Sequence, residues 1–272
     1  VWPSLNWEHI ANLHLDKYAD TDRLVRNKQT GEWRSFIFEN GSVIESFDSK
    51  IWKSADWDFV TAQDFDSDGD TDILVRHKVT GQWRTYLMEQ GLVVSTFVSG
   101  LWPDLDWTFI ASADYDGDGD NDVLVRSTAT GQWRTHLLQQ GALDYSAAAN
   151  LWPGQQWQHV TSGMLDSDST ADVLLRNTTT GEWRTFLMQN GSSSSTYLAN
   201  MWPSLDWVFI SSGNYLESES TSLLTRNQAS GEWRVFGFDA GRSNWSDKIT
   251  IWPSLAWDHQ ITGDFDGDGD SD

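Results

Sequence analysis

A chain of 272 residues, 39% hydrophobic and with 18 tryptophans, has ample material for a buried core, which excludes a disordered polymer. Its formal net charge of −22 excludes a protein that grips nucleic acid or an anionic membrane through phosphates, and points instead to cation binding. Cysteine is absent, so disulfides and thiolate metal sites are excluded as well.

No uninterrupted apolar stretch approaches the roughly 18 to 20 residues needed to span a bilayer, so membrane insertion is not expected. The opening segment VWPSLNWEHI lacks the charged and apolar regions of a signal peptide, and the expectation is a soluble, mature or excised chain.

The sequence repeats itself every 50 residues. Trp2, Trp52, Trp102, Trp152, Trp202 and Trp252 form one series, each but Trp52 followed by Pro. Trp7, Trp57, Trp107, Trp157, Trp207 and Trp257 form a second, and Trp33, Trp83, Trp133, Trp183 and Trp233 a third, inside the phrase TG(E/Q)WR. Only Trp245 stands outside them. Residues 1–272 thus read as a single repeat domain, with units 1–50, 51–100, 101–150, 151–200 and 201–250 and a partial sixth at 251–272.

Within the third unit the elements are all strands. Trp107 to Tyr115 carries β-formers in partial alternation, and Val123 to Arg126 is a short β-branched run. Turn residues at Thr130-Gly131 open a hairpin into Trp133 to Leu138, and Gln140-Gly141 leads to a weaker fourth strand running towards Leu151. Four short strands cannot bury both faces alone, so the units must pack on one another.

The expected fold class is therefore all-β, a β-propeller of four-stranded blades, which also protects the sheet edges. A β-solenoid is the structural competitor, although its coils are usually much shorter than this period. Closure has two readings. One is a ring of six or more blades whose remainder lies outside this sequence; the other is five blades with a redundant terminal segment.

The most specific chemistry lies in three acidic loops. They are DFDSDGDTD (Asp64, Asp66, Asp68, Asp70, Asp72), DYDGDGDND (Asp114, Asp116, Asp118, Asp120, Asp122) and DFDGDGDSD (Asp264, Asp266, Asp268, Asp270, Asp272). Carboxylates at loop positions 1, 3, 5 and 9 are expected to point inward, with the carbonyl of position 7 as a further oxygen. Hard oxygen ligands of this number suit Ca²⁺ rather than Mg²⁺ or a transition metal. Glycine at position 6, namely Gly69, Gly119 and Gly269, permits the sharp bend that wraps the loop around one ion. Without a cation the gathered carboxylates repel, so the loop should open or take up protons, and stability should depend on metal.

An EF-hand begins similarly, but it needs Glu at position 12, where Val75 and Val125 stand here inside expected strands. The bland alternative is a solvated acidic turn. The other loops have lost ligands. The first keeps two carboxylates among His14, Asp16, Tyr18 and Asp22, and the fourth keeps three among Met164, Asp166, Asp168 and Asp172, without the glycine. The fifth, with Asn214, Leu216, Ser218 and Ser222, keeps none. No calcium is expected at the fifth, none or weak binding at the first, and weak binding at the fourth is left open.

The D-x-D-x-D-G-x-x-D loops preceding the VLVR strands resemble FG-GAP or VCBS-type repeats, the calcium-loop blades also found in integrin α propellers and in many secreted bacterial proteins. The resemblance covers all 272 residues. It implies a propeller with calcium loops between neighbouring blade strands, and an extracellular or cell-surface setting. The degenerate first, fourth and fifth loops depart from the pattern, so uniform calcium loading is not implied.

Ten of the twelve arginines are periodic: Arg26, Arg76, Arg126, Arg176 and Arg226, then Arg34, Arg84, Arg134, Arg184 and Arg234. They read as a ring for anionic sugars or, more simply, as scaffold cations that stack on Trp and bond within the blade. The TG(E/Q)WR tryptophans read as packing, while the W-P series is divided between packing and a flat face for sugars. His9, His159 and His259 share a slot with Phe59, Phe109 and Phe209, and no catalytic set can be assembled.

Three functions from different classes remain. The first is a calcium-stabilised extracellular, lectin-like module that binds a glycan or a cell-surface protein through repeated loops. The second is a structural or adhesive segment of a larger surface protein. The third is a polysaccharide lyase or hydrolase, which rests on fold analogy alone.

Overall fold

The computed structural model describes residues 6–16, 21–215, 220–260, 262 and 271. It contains five four-stranded antiparallel sheets, one per repeat, which is the blade architecture of a β-propeller. The first sheet is β1 (Trp7–Leu13), β2 (Asp22–Asn27), β3 (Trp33–Glu39) and β4 (Ser42–Asp48), paired in chain order. The second is β5 (Trp57–Gln63), β6 (Asp72–His77), β7 (Trp83–Glu89) and β8 (Leu92–Val98). The same four strands recur at 107–148, 157–198 and 207–248. The described residues of 251–272 form no strand.

The chain divides into two compact units, one of Val1–Ser112, Asp118–Ala129 and His136–Ser146, the other of Ala113–Gly117, Thr130–Thr135 and Ala147–Asp272. In the first unit, Leu24, Trp33 and Ile37 of one sheet pack with Trp57, Ile73, Tyr86 and Met88 of the next. A further cluster joins Phe65, Leu74 and Trp83 to Val123, Val125 and Leu138. The second unit has its own, in which Leu165, Leu174 and Trp183 meet Leu223, Phe236 and Phe238. Each core lies between successive sheets, because a sheet of this size has apolar residues on both faces and must be covered twice.

The first strands of the first, second, fourth and fifth sheets each carry a register shift, between Phe59 and Thr61 in β5, and the β7–β8 pair shifts again between Leu87 and Met88. Such bulges add twist to short strands. The hairpin joining β6 to β7 turns at Gly81, whose φ is +69°, and a side chain there would strike the carbonyl of Pro103. Gly181 repeats this against Pro203. The T-G of one repeat is therefore the seat for the W-P loop of the next.

Ten periodic arginines invite a surface role, but the described contacts use them in the scaffold. Arg76 lies 4.4 Å from the Trp83 ring centroid and donates to the carbonyls of Trp107 and Asp104 at 2.7 and 2.8 Å. Arg226 does the same with Trp233 and the carbonyls of Trp257 and Ser254. In the second row, Arg84 lies 4.0 Å from the Trp52 ring and Arg184 lies 4.6 Å from Trp152.

Candidate metal centre

The loop 64–72 joins β5 to β6. Its last residue, Asp72, opens β6 and is fully buried. Oδ2 of Asp72 accepts the Phe65 amide at 2.9 Å and Oδ1 accepts the Met88 amide at 2.8 Å. The carboxylate thereby ties the start of its own loop to β7. Burial pushes this carboxyl up to about 8, against the lowering effect of those two amides.

The same pin recurs where the loop has degenerated. Asp22 accepts the Leu15 and Phe38 amides at 3.0 and 2.8 Å, and Asp172 accepts those of Leu165 and Met188 at 3.1 and 2.9 Å. In the fifth repeat Ser222 Oγ accepts the Tyr215 amide at 2.8 Å. The ninth position thus has a structural duty independent of any ion. From spacing alone this aspartate reads only as a ligand; its retention in the first and fourth loops is the sequence signal of its structural duty.

Carboxylate oxygens of Asp64, Asp66 and Asp72 lie within 4.8 Å of one another. This group can hold a metal ion. Oδ1 of Asp66 is buried and has no hydrogen-bond partner. Burial, and then the charges of Asp68 and Asp64, push the Asp66 carboxyl up to about 6. A buried anionic oxygen left unpaired costs free energy, so the donor set fits a hard cation.

The turn is made by the loop itself. Gly69 has φ +93° and its amide donates to Asp64 Oδ2 at 3.0 Å; Gly119 has φ +100°. Position 4 is also left-handed, with Ser67 at φ +60° and Gly117 at +84°, a requirement the spacing did not reveal.

The remaining aspartates are turned elsewhere. Asp68 Oδ1 accepts the Asp70 amide at 2.8 Å, and Asp70 Oδ2 accepts the Gln90 amide at 2.9 Å. Their counterparts behave alike: Asp118 Oδ1 accepts the Asp120 amide at 2.9 Å and Asp120 Oδ2 the Gln140 amide at 2.8 Å. The structure therefore brings together positions 1, 3 and 9. It leaves the carboxylates of positions 5 and 7, Asp68 and Asp70, outside that group.

In the fourth loop Asp168 Oδ1 accepts both the amide and the hydroxyl of Thr170, at 2.9 and 2.7 Å. That carboxylate is satisfied internally. Asp264, Asp266, Asp268, Asp270 and Asp272 of the terminal copy lie outside the described residues, as do Trp2, Tyr18, Leu216 and Ser218.

The TG(E/Q)WR tryptophans are core, with Trp33, Trp83 and Trp183 almost fully buried. The W-P series differs. Trp52 is 50% exposed, Trp202 41% and Trp252 70%, although Trp52 and Trp202 each meet the next Trp edge-on. His159 donates to or accepts from Ser162 Oγ at 3.0 Å and sits among packed strands, as its Phe counterparts imply.

Residues 64–125 match the FG-GAP-like repeat family. No curated protein matches the chain in sequence. Among solved structures, a protein of unknown function from Bacteroides caccae aligns at 14% identity over 90% of this chain and 83% of its own, with a TM-score of 0.47. The β-propeller domain of Nup133 from Vanderwaltozyma polyspora aligns at 11% identity over 89% and 74%, with a TM-score of 0.41. The V. cholerae biofilm matrix protein Bap1 aligns at 16% identity over 92% of this chain but only 39% of its own, with a TM-score of 0.37. Among the described residues no helix is long and apolar enough to cross a membrane.

Proposed function

We propose that this chain is a calcium-stabilised extracellular binding module, with Asp64, Asp66 and Asp72, and their counterparts Asp114, Asp116 and Asp122, as carboxylate ligands. One observation carries the reading: the Oδ1 of Asp66 is buried without a partner inside a group of three carboxylates. A hard, oxygen-preferring ion resolves both the orphaned oxygen and the mutual repulsion. Calcium when bound supplies the positive charge that joins the ends of the loop. The chain's own part is to bend at Gly69, to hold Asp64 through the Gly69 amide and to anchor Asp72 in the sheet. An extracellular setting accords with the family that residues 64–125 match.

Titration calorimetry on the calcium-stripped chain tests this. The expected result is saturable binding of at least two ions that Asp66→Asn reduces by one. A stripped chain that takes up no calcium at millimolar free ion overturns it.

The partner surface we assign to the W-P indoles. Trp52, Trp102 and Trp202 belong to the series that recurs every 50 residues and remain 38% to 50% exposed. Flat aromatic faces stack on sugar rings, and repeated weak sites gain through avidity. A glycan array in millimolar calcium should give a saturable signal that Trp52→Ala and Trp202→Ala weaken together. Silence across the array favours a purely structural or adhesive role instead.

A further inference from the structure

We infer that the acidic loops 64–72 and 114–122 take up their cations as a coupled pair, with Asn121 and Ser67 as the positioning residues that transmit occupancy between them. The inference rests on the calcium reading above and adds to it a property that neither loop has alone.

Asn121 stands between Asp120 and Asp122 of the second acidic loop. Its backbone amide donates to the carbonyl of Asp64 at 3.0 Å, and its side-chain Nδ2 donates to that same carbonyl at 3.0 Å. The two donors fill both lone pairs of one oxygen and so fix the plane of the Asp64–Phe65 peptide. The other side of that peptide is the Phe65 amide, which donates to Asp72 Oδ2. One rigid peptide therefore runs from Asn121 through Asp64 to Asp72, two of the three carboxylates of the neighbouring group.

Ser67 makes the second link. Its hydroxyl donates to Asp120 Oδ1 at 2.7 Å, while Asp120 Oδ2 is held by the Gln140 amide. Gly119 packs so closely that a β-carbon there would come within 2.8 Å of Ser67 Oγ. Asp64, Ser67, Asp120 and Asn121 all belong to the first compact unit.

Comparison with the other junctions shows what is special. A backbone bond at this place is common to the repeats: Thr71 donates to His14, Ala171 to Asp114 and Thr221 to Met164. Ala171 has no side chain to add, and Thr71 uses its hydroxyl on the His14 amide instead. Among the described junctions, the doubled carbonyl and the serine–carboxylate link occur together between the two loops that keep the full carboxylate pattern. The shared backbone bond builds the repeat array; the side-chain bonds tie the two metal loops.

Coupling follows from ordering. A cation that closes residues 114–122 holds Asp120 and Asn121 in place, so the entropy of fixing the Asp64 peptide and Ser67 is already lost when the second ion arrives. The effect is positive, and linkage makes it reciprocal.

The test is calcium titration of the full chain carrying Asp264→Asn and Asp266→Asn, which silence the terminal copy. Two ions should bind with a Hill coefficient above 1. Asn121→Asp, which keeps the shape but loses the donor, and Ser67→Ala should each bring it to 1. Both variants should leave the number of ions unchanged and lower the melting temperature in chelator only by the loss of their own hydrogen bonds, so the Hill coefficient, which a merely structural role would not move, carries the test. Disabling residues 114–122 with Asp114→Asn and Asp116→Asn should weaken the remaining site about 5-fold or more. Two ions that bind independently, with the remaining site unaffected, overturn the coupling and leave the calcium reading intact. A chain that binds no calcium overturns both.

Discussion

Asp72 accepts the Met88 amide through Oδ1 at 2.8 Å, so a carboxylate of the acidic loop is bonded inside the sheet as well as facing its fellow aspartates. The consequence is that substitutions within one nine-residue motif fall into two classes with different calcium dependence.

Asp172 isolates the structural class, because its loop has no metal-competent group around it among the described residues. Asp172→Ala orphans the amides of Leu165 and Met188. It should cost about 2 to 4 kcal/mol of stability, equally in calcium and in chelator. Asp66→Asn belongs to the other class: it should abolish most of the calcium-induced gain yet leave stability in chelator unchanged or raised, since it removes a repelling charge. Thermal unfolding of both variants with and without chelator is the check. An equal loss for Asp66→Asn in both conditions would contradict the assignment.

The pH dependence should reverse sign with calcium. Without an ion, burial holds the Asp72 carboxyl near 8 and the Asp66 carboxyl near 6, both above the ordinary 3.8. The folded chain then keeps protons that the unfolded chain has released, so ion-free stability falls as pH rises from about 4 to 8. Calcium requires the ionised form, so its affinity should weaken as pH falls below 8 and its binding at pH 7 should eject protons. Calorimetric enthalpies should differ between buffers of unlike ionisation heat at pH 7 and converge at pH 9. Buffer-independent enthalpies at pH 7 would refute this.

His159 supplies a separate acid sensitivity. Burial lowers its pKa from 6.5 to about 4. A depressed folded value means that the stability is present above 6.5 and is lost as pH falls from 6.5 to 4. His159→Phe, which installs the residue found at Phe59, Phe109 and Phe209, should flatten that loss by roughly 1 to 3 kcal/mol at pH 4. Urea titrations at pH 4 and pH 7 would measure it, and an unchanged difference between them would count against it.

Two glycines with nearly the same backbone separate conformational strain from crowding. Gly41 has φ +74° with open space where a β-carbon would stand, whereas Gly181 has φ +76° with the Pro203 carbonyl in that place. Gly41→Ala should cost about 1 kcal/mol, the left-handed penalty alone. Gly181→Ala should cost about 2 kcal/mol more, because the W-P loop must move. Equal losses in denaturant titrations would show that the loop seat is dispensable.

Much of the fold was legible because it is periodic. Four strands per unit follow from β-branched runs, TG and QG turns and a 50-residue recurrence of tryptophan, each a local signal that five copies reinforce. In the third unit the expected strands at Trp107, Val123 and Trp133 meet the observed Trp107–Ala113, Asp122–Ser127 and Trp133–Gln139 within two residues at either end. The loop was legible for the same reason, through regularly spaced aspartates and a glycine at the bend.

Composition and spacing by themselves determined the repeat, the strands, the cation-seeking charge and which loops keep carboxylates, since all of these depend on residues close together in the chain. Tertiary structure decided which aspartates share one point in space, that Asp72 and Asp172 are bonded into their sheets, and that Asn121 reaches back to Asp64. Those outcomes depend on burial and on partners some 16 to 57 residues away. A side chain's dielectric and its hydrogen-bond partners exist only once the sheets have packed.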